Sequence, residues 1–233
     1  MVQKAGTLLK SFSFLQELSA EEVAEWDRQV EQDIAEQQRK EREKAFQSCG
    51  IGQRYFSESF DTFIPRDKDE QNLLENLRLF TLEVKAGKFA TVKLLGSVGT
   101  GKTHLAAAVL RETGGIYRVS DAIVNEIREA ERFDVKEDKE KVIQRYATCS
   151  FLVIDEIGRS EYPEREKHIL YRIINGRYEN RLPTLLISNF GKMKFAEYVG
   201  AATTDRLNES CQTYELNGTS YRVQKRGEGL SRV

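Results

Sequence analysis

The run Gly96-Ser97-Val98-Gly99-Thr100-Gly101-Lys102-Thr103 fits the spacing G-x-x-x-x-G-K-[ST], which is suited to holding phosphate. Glycines let the backbone curl until successive N–H groups point inward at anionic oxygens. A helix starting at the end of the run adds the positive end of its dipole. Lys102 supplies a mobile charge for the β- and γ-phosphates of a nucleoside triphosphate, and the Thr103 hydroxyl is a ligand for Mg2+. The expected phosphate-lining residues are Gly96, Ser97, Val98, Gly99, Thr100, Gly101, Lys102, Thr103 and His104.

A second run, Phe151-Leu152-Val153-Ile154-Asp155-Glu156, is apolar and ends in two carboxylates. In a buried parallel strand this puts both acids at the carboxyl end, where open α/β sheets bind ligands. Asp155 is placed to hold the hydration shell of Mg2+ together with Thr103, and Glu156 to deprotonate an attacking water. Leu185-Leu186-Ile187-Ser188-Asn189 has the same shape. Asn189 reads either as a polar group reaching the γ-phosphate or the attacking water, or as an Asn that forms a turn after a strand.

The elements needed to position these groups are also in the sequence. Phe89 to Leu95 reads as a buried strand entering the glycine run, and Thr103 to Leu110 as the helix leaving it. Further strands are expected at Ile116–Val119, Ser150–Ile154, Thr184–Ile187 and Cys211–Leu216. Helices are expected over Asp69–Ala86, from Ser120 or Asp121 to about Phe133, over Lys136–Tyr146 and Glu164–Tyr178, with one shorter helix before the last strand. Strands alternating with helices imply an α/β fold with a doubly wound, mainly parallel sheet.

Residues 1–48 have a different texture: charged, glutamine-rich and poor in β-branched side chains. Ser19-Ala20-Glu21-Glu22 fits a capping box. Val23, Trp26, Val30 and Ile34 follow at close to helical spacing, so a helix of about 40 Å is expected from Ser19 to about Phe46. One apolar stripe with no second helix of equal length makes no core, so it must dock on the rest of the chain or on another protein. Cys49 to Arg54, with two glycines, reads as a linker at 49–54 to a domain over 55–233.

A net charge of −1 gives no global basic field, so any contact with DNA must come from a local patch. Arg118, Lys192, Lys194 and the tail Arg222 to Gly227 are candidates, although such charges are usually just solvated. Cys49, Cys149 and Cys211 are widely spaced, which argues against a zinc site or disulfide framework. No apolar run suits a membrane span and no secretory leader is evident, so a cytoplasmic protein with no membrane contact is expected.

The glycine run, the Asp-Glu strand and the Ser-Asn strand, in this order, resemble the AAA+ ATPases. Gly50-Ile51 with Phe60-x-x-Phe63, Asp155-Glu156-Ile157-Gly158, Arg177-Tyr178 before Pro183-Thr184, Ser188-Asn189, Asp205-Arg206-Leu207 and Ser220-Tyr221-Arg222 resemble the DnaC-type helicase loaders and the related IstB-type transposition helpers. The resemblance implies ATP as ligand, Asn189 as sensor 1, Arg206 as an arginine finger and Arg222 as a second sensor. It therefore makes Lys102, Asp155, Glu156, Asn189, Arg206 and Arg222 the catalytic set. A finger acts on nucleotide held by a neighbour, which implies self-association into a ring or helix through Arg206. Too few residues follow Asn189 for a full helical lid, and the N-terminal region lacks the cysteine cluster of some loaders. The resemblance implies an ATP hydrolase that loads a hexameric replicative helicase onto single-stranded DNA, with residues 1–48 binding the helicase. The rivals are a transposition helper acting with a transposase, a small-molecule kinase, and a nucleotide-gated binding module. Glu156 argues against the kinase, since a hydrolase needs a base for water where a kinase needs an acceptor pocket.

Overall fold

The computed structural model describes residues 19–132, 136–209 and 211–221. The chain divides into two units, residues 1–43 and 44–233. Among the described residues, no helix is long and apolar enough to cross a membrane.

The first unit contributes most of helix α1 (Ala20–Ser48). Spacings of four residues hold this solvated helix together, with Lys40 paired to Glu36 at 2.7 Å and Gln29 donating to Asp33 at 3.0 Å. Val23, Trp26, Val30 and Ile34 form one exposed stripe, Trp26 being 43% accessible.

The second unit begins with the end of α1, where Phe46 is buried. The stretch expected as a linker is packed: Cys49 and Ile51 are both buried, and Gln53–Tyr55 forms a 3-10 turn. Gly50 (φ +100°) lies so close to the Tyr117 carbonyl that a Cβ would approach it to 2.7 Å, so this glycine serves close packing here.

Then follow α2 (Lys68–Lys85), β1 (Thr91–Gly96), α3 (Lys102–Thr113), β2 (Ile116–Val119), α4 (Ser120–Arg132), α5 (Lys136–Thr148), β3 (Leu152–Ile157), α6 (Pro163–Glu179), β4 (Thr184–Ser188), α7 (Lys192–Val199), α8 (Ala201–Asn208) and β5 (Cys211–Leu216). The single short helix expected before β5 is two helices, because Gly200 (φ +82°) ends α7 and begins α8. Phe133, the expected end of α4, lies outside the described residues.

The five strands form one sheet in the order β2-β3-β4-β1-β5, with every pairing parallel. Strand alternation divides the core between the two faces. Val92, Leu94, Val153, Leu185 and Ile187 pack with α2 and α3 through residues such as Leu77, Phe80, Leu105 and Val109. Leu95, Leu152, Ile154 and Leu186 pack with α4 to α8 through Ile123, Ile127, Tyr146, Ile173 and Phe195. Each fully buried leucine or isoleucine contributes about 1.5–3 kcal/mol. No full helical lid is present among the described residues that follow β4.

Candidate nucleotide-binding site

Strand order brings the motifs together. β3, β4 and β1 are neighbours, so the glycine run, Asp155-Glu156 and Asn189 all leave the same edge of the sheet. The loop after Asn189 is tied to the start of the glycine run, where the Gly96 amide donates to the Phe190 carbonyl at 3.0 Å.

Gly96, Gly99 and Gly101 all take positive φ (108°, 82° and 90°), which curls the chain between β1 and α3. Gly101 also rests on the Phe63 ring, which a Cβ would meet at 2.7 Å. Among the described residues, the backbone amides from Val98 to His104 have no protein acceptor. A curl of unpaired amides opening a helix is a cradle for an anion, and it fits the phosphates of ATP.

Lys102 is buried, and its Nζ donates to the carbonyls of Gly96 at 2.8 Å and Ser97 at 2.6 Å. Burial pushes its pKa down to about 8; the Asp155 charge opposes that shift and Arg159 adds to it. Thr103 Oγ1 donates to Asp155 Oδ2 at 2.8 Å, so the two residues expected at the magnesium site already touch. One hydroxyl and one carboxylate beside a phosphate cradle suit Mg2+, which keeps several waters and takes few protein ligands.

Asp155 is 3% accessible and also accepts from the Tyr117 hydroxyl on Oδ2 at 2.8 Å and from the Glu156 amide on Oδ1 at 2.6 Å. Glu156 has φ +56°, a left-handed conformation costing a non-glycine residue about 1–3 kcal/mol. Beside it the register between β3 and β4 shifts, between Ile154 and Ile157. Its side chain is 45% accessible and lies 3.6 Å from Arg159 Nη1. The half-buried Asn189 side chain has no hydrogen-bond partner among the described residues.

His104 points its ring at the segment before α2: Nδ1 lies 2.9 Å from Glu58, and Nε2 lies 2.9 Å from the Ser59 carbonyl. Its phosphate-lining capacity is therefore confined to its backbone amide. On the other side, the segment after β5 laps the glycine run, with the Tyr221 amide donating to the Gly99 carbonyl at 3.0 Å and the Tyr221 hydroxyl to Glu70 at 2.9 Å.

A family model described as IstB-like ATP binding protein matches residues 9–229. The chain belongs to the IstB-like ATP-binding family. It is 28% identical over 209 residues to the ATP-binding protein of insertion sequence IS5376 from Geobacillus stearothermophilus, covering 85% of this chain and 80% of that protein. It is 27% identical over 193 residues to the replicative helicase loader DnaC of Escherichia coli K12, covering 80% of this chain and 78% of DnaC. A crystal structure of the DnaC helicase loader superimposes with a TM-score of 0.61 at 20% identity, covering 71% of this chain and 99% of that one, and shows the fold to be the same. The chain thus belongs to an ATP-binding family and shares the fold of that loader.

Within this IstB-like fold Arg206 lies away from the cradle. It lines a small cleft with Thr91 and Thr184, the first residues of β1 and β4. Strands of this length rise about 3.3 Å per residue, so Arg206 is roughly 15 Å or more from the glycine run of its own chain. Its Nε donates to Asn175, its Nη1 to the Ala202 carbonyl at 2.9 Å, and its guanidinium lies over the Tyr171 ring. Arg222 lies outside the described residues, as does the tail that follows it. Arg118, a candidate for DNA contact, is tied to Glu126 at 3.2 Å and to the Tyr117 carbonyl at 2.9 Å.

Sequence reasoning passed over two residues that the fold brings to the site. Tyr117 sits on β2 and faces Asp155; a lone tyrosine in a short apolar run gives no signal of this. Arg159 was detectable only as a cation three residues past Glu156.

Proposed function

We propose that this protein is an ATP hydrolase that assembles with copies of itself, binds a hexameric replicative helicase and delivers it onto single-stranded DNA in the cytoplasm. The observation that carries the hydrolase part is the meeting of cradle, paired acids and Asn189 at the tips of three adjacent strands.

In this reading the amides from Val98 to His104 and the Lys102 ammonium bind the phosphates of ATP. Thr103 and Asp155 would hold Mg2+, which would supply positive charge against the phosphates. Glu156 takes the proton from water as the oxygen–phosphorus bond forms and the bond to the β-phosphate oxygen breaks. Its contact with Arg159 is solvent-screened and therefore weak, so the carboxylate is easily released for this task. Asn189 orients the water. Arg206, too far from its own cradle, serves the ATP of the next subunit, where a guanidinium is worth about 10³–10⁵ in rate.

The helicase part is supported by the exposed Val23-Trp26-Val30-Ile34 stripe and by the similarity to DnaC. Such a stripe suits a helix-in-groove or helix-on-helix contact. We take residues 1–48 as the partner-binding region and 55–233 as the ATPase. A second reading, a transposition helper acting with a transposase, is favoured by the family model and by the insertion-sequence relative.

One experiment separates the two. The full chain carrying Glu156→Gln, charged with ATP, is offered a hexameric helicase with single-stranded DNA, and separately a transposase with duplex DNA. Co-elution with the helicase, lost on Trp26→Ala, is the expected result. Co-elution with the transposase alone overturns the loader reading.

A further inference from the structure

Asp155 is held by more than the threonine that its motif supplies. Its Oδ2 receives two hydroxyl protons, from Thr103 on α3 and from Tyr117 on β2, each at 2.8 Å. Its Oδ1 receives the Glu156 amide at 2.6 Å. We propose that Tyr117 is a positioning residue for the magnesium site, setting the rotation of the Asp155 carboxylate from the protein side while Thr103 and the carboxylate hold the ion. This rests on the reading of Asp155 and Thr103 as magnesium ligands.

The β2–β3 register explains how the contact forms. Tyr117 is opposite Val153, and Asp155 lies two residues further along, on the same face of the sheet. A phenol is long enough to span that diagonal, where a valine or isoleucine would stop short. The tyrosine is fixed along its length. Its amide donates to the Cys49 carbonyl at 2.8 Å, its carbonyl accepts from Arg118 Nη1 at 2.9 Å, and its ring is buried in the core beneath α3.

The two hydroxyls differ in what they can do. Thr103 Oγ1 is itself a ligand position, so its bond to Asp155 must adjust as an ion enters. Tyr117 reaches Oδ2 from β2, on a ring that belongs to the buried core. Its bond therefore keeps Oδ2 in place throughout. Outer-shell partners of metal ligands typically change metal affinity by 10–100-fold when removed.

The test uses the full chain and a fluorescent ATP analogue, titrated with Mg2+ and separately in EDTA. Tyr117→Phe keeps the ring and removes the hydroxyl. The expected result is a Mg2+ midpoint raised about tenfold or more, with affinity in EDTA within about twofold of the parent. A Mg2+ midpoint equal to the parent's overturns the proposal. So does a uniform loss of affinity with and without Mg2+ together with a lowered melting temperature, because that is the signature of packing alone. Asp155→Asn, run alongside, tells the two claims apart. If it shifts the midpoint and Tyr117→Phe does not, Tyr117 is not a positioning residue. If neither shifts it, Asp155 is not the ligand.

Discussion

Arginines and lysines serve opposite purposes at the two ends of the sheet. At the amino end, Arg177 is fully buried and surrounded by acceptors: Nε donates to Thr184 Oγ1 at 2.8 Å, Nη1 to the carbonyls of Tyr146 and Cys149 at 2.8 Å each, and Nη2 to the Pro183 carbonyl at 2.6 Å. Its guanidinium fixes α5, α6 and the start of β4 to one another. At the carboxyl end, a run of amides and the Asn189 side chain have no protein partner among the described residues, and Lys102 is held by its own loop, through the Gly96 and Ser97 carbonyls and the Thr100 hydroxyl. Polar groups whose hydrogen bonds are all internal stabilise a fold. Polar groups left open at the tip of a rigid sheet are available to a ligand. Arg206 is intermediate: it lies at the amino end with Arg177, yet only two of its nitrogens have acceptors among the described residues.

The sharpest way to break this contrast is Arg206→Ala. If the open part of its guanidinium faces ATP on the next subunit, turnover should fall about 10³–10⁵-fold with nucleotide affinity largely kept. Mixing with Lys102→Ala chains should restore turnover at mixed junctions, because those chains bring an intact Arg206 to a neighbour that still binds ATP. Steady-state phosphate release across mixing ratios reads this directly. No recovery at any ratio would make Arg206 a link between α8 and α6, of the same kind as Arg177.

Arg177→Ala sets the other side of the comparison. It strands four acceptors in a buried site, and one unsatisfied buried group already costs about 1–3 kcal/mol. A loss of about 3 kcal/mol or more is expected, a fall in melting temperature of roughly 6–12 °C for a chain of this size. Arg177→Lys should recover little of it, since an ammonium cannot match the spread of a planar fork. The fraction that remains folded should bind ATP normally. A variant that melts like the parent but binds ATP poorly would move Arg177 into the nucleotide site.

The carboxyl end was the more legible of the two in the sequence, for a physical reason. Cradles and strand-tip acids depend on local backbone geometry, so glycine spacing and an apolar run ending in Asp155-Glu156 announce them. β2 and β5 also appear at the boundaries that β-branched and aromatic runs imply. Arg177 gives no such sign: its acceptors come from α5, from the loop after it and from the entry to β4, and only folding gathers them. Tyr117 is similar, because its partner lies 38 positions away on another strand. The packing of Cys49 and Ile51, where a linker is expected, has a related cause. Glycines signal freedom or close approach alike, and Gly50 turned out to be packed against the backbone of β2.

The smallest expected effect concerns Lys102, the cation of the cradle, and it has a definite sign. Burial lowers its pKa from the usual 10.5 to about 8. Between these values the unfolded chain holds a proton that the folded chain has released, so this residue's contribution to stability rises with pH across that window. Nucleotide binding should run the other way. Phosphate oxygens favour the ammonium, so above about pH 8 binding must take up a proton, and affinity should fall by up to about tenfold per pH unit. Fluorescent ATP titrations from about pH 7 to 9.5 would show the slope, and calorimetry in buffers of different ionisation enthalpy would count the proton. Lys102→Arg should flatten the profile, because a guanidinium does not titrate in this range. A profile equally steep in that variant would place the titrating group elsewhere. The contrast between open and closed ends would then lack its electrostatic half, because the cradle's cation would carry the same constant charge as Arg177.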